Sequence, residues 1–449
     1  MAERLVEVDA VQIRRIFPWV HLFRAFRIAV DIRKVFLAAL ALVALTAGNA
    51  AFSNLPFAPP AAKKEAQWPW SVQPGTVKSQ NIPEEFVNNP SGTLVRVFSD
   101  WRTPLAPLHT VVDPARTLFR PQQTWSEIAF AWTKLLWALC VWALFAGAIT
   151  RMAAVQFAGD GKIGMWGALK FSAENFLSYL SAPLLPAVGI AAIWLVCLVG
   201  GLVGLIPFAG PVIVGFFYWL AIGLGLLMAL IVMGIAAGWP LMYAAISTEG
   251  SDGYDGFSRA YGYVYSRPWH YLWFTVVSLA YGSAVIVFVS FAATLAVFLA
   301  ARAVSTGMGI GGVQALISAN PSLFGGSSIL GKSTNLDPSF WGTTPAGIWL
   351  EVTALLVTSF VSSYFWSATT IIYFLLRASD DATSLKEVYL PEEEDEDDLL
   401  PLVGVAESSH PVVERPAEGE FAAAVPKSDG TEDTEFDIRT GPQKGTAKD

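Results

Sequence analysis

Six long apolar runs constrain the fold of this chain more than any other feature. A helix that crosses a bilayer needs about 20 mostly apolar residues. Six stretches meet that length, at roughly 35–53, 128–150, 184–206, 212–237, 272–302 and 347–376. Only 15% of the residues are charged, whereas soluble domains carry roughly 25%. The sequence therefore predicts an all-α integral membrane protein with six transmembrane helices.

The charge of the chain is divided between two regions. From Arg377 to the C-terminus there are 20 acidic and 7 basic residues, while the preceding residues are mildly basic. The run "PEEEDEDDLLP" (391–401) and the polar sequence after it contain too few apolar residues to form a core. We predict a disordered acidic tail over 380–449. It either binds a protein partner or has a solvating role without one.

The first apolar run, 35–53, is interpreted as an uncleaved transmembrane helix. Small residues near its end also fit a cleaved signal peptide, but the 1–34 segment before it is too long for an ordinary n-region. Segment 1–34 is rich in arginine, which is typical of the cytoplasmic side. We predict that 1–34 is a cytoplasmic amphipathic segment and that both termini are cytoplasmic.

Short cytoplasmic loops carry more lysine and arginine than loops on the other side of the membrane. The two loops predicted on that other side are either poor in basic residues or too long for this rule to apply. Segment 303–346 has Lys332 as its one lysine or arginine, and segment 54–125 contains 11 prolines. Proline removes a backbone donor and disfavours an ordinary core. Segment 54–125 is therefore predicted to be an external loop, acting as a small lid or as an extended partner-binding segment.

An internal repeat joins two of the predicted cytoplasmic loops. Segments 160–180 and 252–272 align without a gap at an offset of 92, and a fainter copy lies at 24–37. The identical pairs include Asp160/Asp252, Gly161/Gly253, Gly164/Gly256, Ala168/Ala260, Tyr179/Tyr271 and Leu180/Leu272. The repeat predicts three helical hairpins, each preceded by a cytoplasmic interfacial helix. Residues 126–379 would contain the five further transmembrane helices.

Basic and aromatic residues in the three pre-span segments indicate contact with lipid head groups. Apolar side chains on an interfacial helix enter the acyl boundary while basic side chains meet anionic lipid. The candidate head-group contacts are Arg24, Arg27, Lys170, Arg259, Arg267 and Trp269. Membrane lipids are therefore the predicted partners of the membrane region.

Two charged residues fall inside predicted spans. Lys134 lies well into the second run and Glu351 about one turn into the sixth. An intramembrane charge is a functional candidate, so Lys134 and Glu351 are a candidate ion pair. In the alternative interpretation, Lys134 extends its ammonium group towards the interface and Glu351 lies at the interface.

Small residues at four-residue spacing predict close helix packing. Gly200 and Gly204 form one such pair, and Gly234 and Gly238 form another. Small side chains let membrane helices approach each other closely. The alternative is a flexible or unwound element of a transport pathway.

No motif for catalysis, a cofactor or a metal is found in the sequence. There is no P-loop, dinucleotide-binding fingerprint, HExxH or nucleophile elbow. Cys140 and Cys197 both lie in apolar runs and are predicted to be free thiols. We expect no cofactor, no metal site, no nucleic-acid partner and no enzyme activity.

Three segments resemble known membrane proteins. These are "AGAITRMAAVQFA" (146–158), "FLSYLSAPLLP" (176–186) and "DGFSRAYGYVYSRPWHYLW" (255–273). They are similar to bacterial polytopic membrane proteins of unknown function. More distantly, they resemble the multi-span domains attached to some glycerophosphodiester phosphodiesterases. The resemblance covers roughly residues 100–390 and implies a bacterial cytoplasmic-membrane location, without the phosphodiesterase domain or its activity.

These observations favour a non-enzymatic membrane protein that interacts with lipids or organises partners. The alternative is a transporter of a small solute or a lipid, with a cavity between the repeats. The oligomeric state is not predicted.

Overall fold

A computed structural model describes residues 17–59, 103–120, 123–159, 161, 163–308 and 345–389. The predictions for the acidic tail beyond residue 389 and for most of 54–125 and 303–346 lie outside these residues. Every regular element in the described part of the chain is a helix.

Six of the helices are long and apolar enough to cross a membrane. The described residues also contain four shorter α-helices. In chain order the α-helices are α1 (Arg24–Ala29), α2 (Ile32–Phe52), α3 (Ala106–Leu118), α4 (Trp125–Gly159), α5 (Met165–Glu174), α6 (Phe176–Leu202), α7 (Ala209–Glu249), α8 (Gly253–Ser266), α9 (Pro268–Met308) and α10 (Pro345–Asp380). The long helices are α2, α4, α6, α7, α9 and α10. The prediction of six membrane-crossing helices in an all-α chain is confirmed at this level.

Several long helices extend beyond the apolar runs that predicted them. The helix α7 ends at Glu249, whereas the apolar run ends near residue 237. A 41-residue helix is roughly 60 Å long, which exceeds the hydrocarbon thickness of about 30 Å. The helix continues beyond the apolar run because its last turns are buried by other helices.

A short helix directly precedes three of the long helices. The pairs are α1–α2, α5–α6 and α8–α9, and α6 and α9 begin at Phe176 and Pro268, which are 92 residues apart. The side chain of Asp31 caps α2 by accepting from the Arg33 N–H at 3.1 Å. Asp252 caps α8 in the same way, from the Asp255 N–H at 2.9 Å. The caps at Asp31 and Asp252 thus set the starts of α2 and α8, and Pro268 sets the start of α9.

One end of the bundle brings the ends of all six long helices together. The helices α4, α7 and α10 finish there, while α2, α6 and α9 begin there. Arg151 on α4 donates to the carbonyl of Ser247 on α7 at 2.8 Å. Arg267, directly before α9, forms an ion pair with Asp380 at the end of α10 at 2.8 Å. We call this the basal end.

Aromatic side chains fill the middle of the bundle. Trp142 on α4, Trp239 and Tyr243 on α7 and Trp366 on α10 are almost completely buried. The ring of Trp366 lies 5.5 Å from that of Trp142 and 5.4 Å from each of the other two. These distances are typical of direct aromatic packing. The interior between α4, α7 and α10 is therefore occupied by rings.

The outer parts of α6 and α7 have the opposite character. Over residues 187–233, which we call the exposed hairpin, most side chains are large, apolar and exposed; Trp219 is 67% exposed and Phe208 95%. Buried prolines lie where these helices leave the core, at Pro183 and Pro186 in α6 and Pro240 in α7.

A helix also lies within the predicted proline-rich loop. The helix α3 occupies residues 106–118 and packs against α4. Its Thr110 accepts a hydrogen bond from the indole of Trp142 at 2.7 Å. Pro107 stands in the first turn, where the missing N–H costs little. Part of this segment is therefore helical and belongs to the packed bundle.

Candidate functional site at the basal end

A buried arginine lies at the centre of the basal end. Arg151, in the last turns of α4, is 1% exposed. Its Nη1 donates to the carbonyl of Ser247 at 2.8 Å, and its guanidinium carbon lies 4.3 Å from the centroid of the Phe171 ring. A cation over an aromatic face is stabilised by the ring quadrupole. Helices α4, α5 and α7 together hold this side chain.

Three hydroxyl groups form a chain beside Arg151. The Ser247 hydroxyl lies 2.5 Å from Thr150 Oγ1 and 2.7 Å from the Tyr179 hydroxyl. All three side chains are completely buried. Thr150 also donates to the carbonyl of Ala146 at 2.8 Å. The hydroxyls therefore have partners, and they link α4, α6 and α7 at one level.

A glycine allows this close approach of the helices. A Cβ atom on Gly147 of α4 would lie 2.3 Å from Ser172 Oγ and 2.9 Å from the Tyr179 ring. Ser172 donates to the backbone of α4, at Leu144, over 2.7 Å. A larger residue at position 147 would separate α4 from α5 and α6.

An ionic network surrounds the last residue of α7. The Glu249 carboxylate accepts from Arg259 on α8 at 2.8 Å and from the hydroxyl of Tyr373, and it lies 3.7 Å from Arg377. Burial by itself lowers the pKa of Arg259, but the Glu249 carboxylate together with Tyr373 and Tyr263 outweighs it, so the pKa is raised. This network connects α7, α8 and α10.

The residues after α10, 381–389, run back over the basal end and are called the C-terminal strap. The Tyr389 N–H donates to the carbonyl of Thr248 at 2.8 Å. Arg377 Nη1 donates to the Glu387 carbonyl at 3.2 Å. The Tyr263 hydroxyl donates to Asp381, and burial, followed by this carboxylate, raises the pKa of Tyr263. The strap is thus fixed to α7, α8 and α10.

A third polar cluster lies where α2 begins. Asp31 accepts from Arg33 at 2.8 Å and from Gln156 on α4 at 2.9 Å. Burial raises the pKa of Asp31, but the hydrogen bonds from Arg33 and Gln156 outweigh it and lower the pKa to about 2. Lys34 is fully buried and donates to Gln156 and, at 2.9 Å, to the Ile28 carbonyl. These contacts join α2 to α4.

The structure describes the side chain of one member of the predicted intramembrane pair. Lys134 is half-buried on α4, and its ammonium nitrogen lies 5.6 Å from the centroid of the Phe130 ring. Glu351 belongs to α10, but its side chain lies outside the described residues. Pairing of Lys134 with Glu351 stays a prediction.

The predicted head-group residues have several different environments. Arg259 and Arg267 form ion pairs with Glu249 and Asp380, and Lys170 lies 3.8 Å from Glu174. Arg24 stacks on Phe157 at 4.9 Å, while Arg27 and Trp269 are exposed. Contact of these six residues with lipid stays a prediction. Sequence reasoning missed the partner of Arg267 because Asp380 lies 113 residues away.

The two glycine pairs differ in their surroundings. A Cβ atom on Gly234 would lie 2.4 Å from the Tyr261 ring of α8, and one on Gly238 would contact Ala260 at 3.8 Å. No atom lies within 4 Å of such a Cβ on Gly200, and for Gly204 the nearest atom is in Val214 at 3.5 Å. Gly234 and Gly238 therefore face the short helix α8, whereas Gly200 belongs to the exposed hairpin.

One feature of the sequence indicates the arginine centre. Arg151 follows an apolar stretch of more than 15 residues, and no acidic residue occurs between Glu127 and Asp160. An isolated cation within a long helix indicates a buried site.

Comparison with models of known families, with curated proteins and with solved structures finds no match. The geometry itself therefore carries the functional argument.

Proposed function

We propose that this protein is a multi-pass membrane protein that interacts with lipids and organises partners without catalysing a reaction. The exposed hairpin carries this proposal. It presents large apolar side chains on nearly all sides of two helices, beside a core that is fully packed. A helix that is apolar all round requires lipid or other protein around it. The surface of the hairpin is therefore the part that meets the membrane and its components.

The proposed orientation places the basal end at the cytoplasmic leaflet of a bacterial inner membrane, with both termini cytoplasmic. Each short helix and the two long helices after it would form one outward and returning unit, with the short helix in the interface. Two exposed tryptophans support this depth: Trp166 in α5 is 76% exposed and Trp269 in α9 79%. Tryptophan is enriched at the level of lipid head groups.

The packed interior favours this role over transport. A transporter needs a polar path towards the bilayer centre. Between α4, α7 and α10, the rings of Trp142, Trp239, Trp366 and Tyr243 occupy the middle of the bundle. A solute passing between these helices would have to displace several buried aromatic side chains.

Photo-crosslinking in native membrane tests the proposal. A photoreactive phenylalanine analogue is placed at Phe216 or Trp219 in the exposed hairpin and, as a control, at the buried Phe360. We expect lipid or protein adducts at Phe216 and Trp219 and intramolecular products at Phe360. Equal adduct yields at all three positions would count against the assigned surface. Solute flux through proteoliposomes containing the purified chain would favour the transporter instead.

A further inference from the structure

The guanidinium of Arg151 has two donors without acceptors. Its Nε and Nη2 atoms are buried, and neither has a hydrogen-bond partner within the described part of the chain. Arginine remains protonated in proteins, so the positive charge cannot be removed by titration. No salt bridge to Arg151 occurs among the described residues. A buried cation without an anion is unfavourable unless something else supplies the negative charge.

The two open donors lie on one edge of the guanidinium group. The Nη1 atom is occupied by the Ser247 carbonyl, and one face is covered by Phe171. The N–H bonds of Nε and Nη2 then point in parallel from the remaining edge. This edge matches two oxygens of one carboxylate or phosphate group. Arg151 is therefore held in the geometry of a bidentate oxyanion receptor.

We propose that Arg151 binds the phosphate of a membrane phospholipid through this edge. The single positive charge neutralises one negative charge, which matches a phosphodiester head group better than a doubly charged phosphate monoester. The inference deepens the proposed lipid-interacting function and rests on it for the position of the basal end at a leaflet. The head group would be a specific lipid ligand of the bundle.

The C-terminal strap indicates where a head group enters. Tyr389 is 49% exposed. Its backbone is bonded to Thr248, the neighbour of Ser247. Because Arg151 is only 1% exposed, binding requires displacement of the residues that cover its Nε and Nη2 atoms. Tyr389 marks a side of the arginine centre that reaches solvent.

A structural role for Arg151 makes a different prediction. Ser247 lies in the last turn of α7, where backbone carbonyls lack intrahelical partners and a cation is favourable. An arginine that only caps α7 would stabilise the fold equally with or without phospholipid. The distinction therefore lies in the dependence on lipid phosphate and not in stability alone.

The test uses the full chain in nanodiscs and compares wild type with Arg151→Lys. Lysine keeps the charge and can still donate to Ser247, but it lacks the bidentate edge. Native mass spectrometry measures retention of added phosphatidylglycerol, and ³¹P NMR detects a bound phosphorus signal. We expect retention by wild type and roughly tenfold to hundredfold weaker binding by Arg151→Lys, the effect of one charge-assisted hydrogen bond. Arg33→Lys, in the Asp31 ion pair, is the matched control and should bind as wild type does.

Further arms identify the source of the phosphate. Inorganic phosphate and phosphatidic acid replace phosphatidylglycerol in separate samples, and tighter binding of either would overturn the phosphodiester assignment. Equal lipid retention by wild type and Arg151→Lys would overturn the site. If Arg151→Lys does not fold, Phe171→Leu, which loosens the guanidinium without removing it, should weaken retention instead. If lipid retention does not depend on Arg151 while lipid adducts still form at Trp219, the proposed function stands and the phosphate site alone is overturned.

Discussion

Replacing Gly234 by alanine should destabilise the bundle although alanine is the better helix former. A Cβ atom there would lie 2.4 Å from Cε1 and 2.5 Å from Cζ of Tyr261. The ring cannot easily turn away, because its hydroxyl donates to the Ile231 carbonyl at 2.7 Å and its centroid lies 4.6 Å from that of the Phe257 ring in a T-shaped contact. Either α7 and α8 move apart or the hydrogen bond of Tyr261 is lost.

The magnitude follows from these contacts. Overpacking costs about 1–3 kcal/mol and a lost hydrogen bond about 1 kcal/mol. The higher helix propensity of alanine offsets about 0.5–1 kcal/mol of this. We expect a net loss of about 1–3 kcal/mol in the free energy of unfolding. Gly223→Ala in the same helix is the matched control, because no atom lies within 4 Å of its Cβ position; it should be neutral or stabilising.

Thermal unfolding in one detergent, followed by tryptophan fluorescence, measures both variants. The midpoint should fall for Gly234→Ala and stay or rise for Gly223→Ala. The double variant Gly234→Ala/Tyr261→Ala should be more stable than the sum of its single effects, since the smaller side chain removes the clash. The reasoning is refuted if Gly234→Ala and Gly223→Ala have the same melting midpoint. It is also refuted if the effects of Gly234→Ala and Tyr261→Ala on stability are additive.

Three further predictions concern ionic contacts. Arg267→Glu should lower the free energy of unfolding by about 0.5 kcal/mol, the value for a partly exposed pair, and the melting midpoint should fall slightly. Adding Asp380→Arg to the same chain should restore the midpoint; no rescue would exclude pairing. Burial raises the pKa of Tyr263, so stability should fall above about pH 10, where the unfolded phenol ionises; because burial also raises the pKa of Tyr261, Tyr263→Phe should reduce this loss in a pH titration without abolishing it, and an unchanged loss would contradict the assignment. The lowered pKa of Asp31, about 2 against 3.8, stabilises the fold above about pH 4, and this contribution is lost towards pH 2; acid unfolding of Asp31→Asn should lack that loss, and an unchanged profile would contradict it.

The existence of six long helices follows from hydropathy, because lipid imposes a length and an apolar composition on any helix that crosses it. The starts of α8 and α9 also have local causes. Asp252 caps α8, and Pro268 begins α9 after the break at Arg267. Such features depend on a few adjacent residues, so the sequence predicts them directly.

The contacts of the basal end depend on residues that are distant in sequence. The partner of Arg267 is Asp380, 113 residues away, and the carbonyl bound by Arg151 lies 96 residues away. A basic residue near a membrane fits a lipid phosphate or a protein carboxylate equally well on composition. Only the packing of the helices decides between them, which is why the arginine pairs were predicted as lipid contacts alone.

The buried prolines of α6 and α7 have a consequence for the membranes in which this protein can operate. Proline removes one backbone hydrogen bond and weakens the helix locally. Pro183, Pro186 and Pro240 stand where the exposed hairpin leaves the packed bundle. The α6 arm of the hairpin can therefore change its tilt at Pro183 and Pro186, whereas α7 stays bound to α8 beyond Pro240 through the hydrogen bond from the Tyr261 hydroxyl to the Ile231 carbonyl. A bilayer of different thickness would be matched by tilting of α6, without repacking of the aromatic interior.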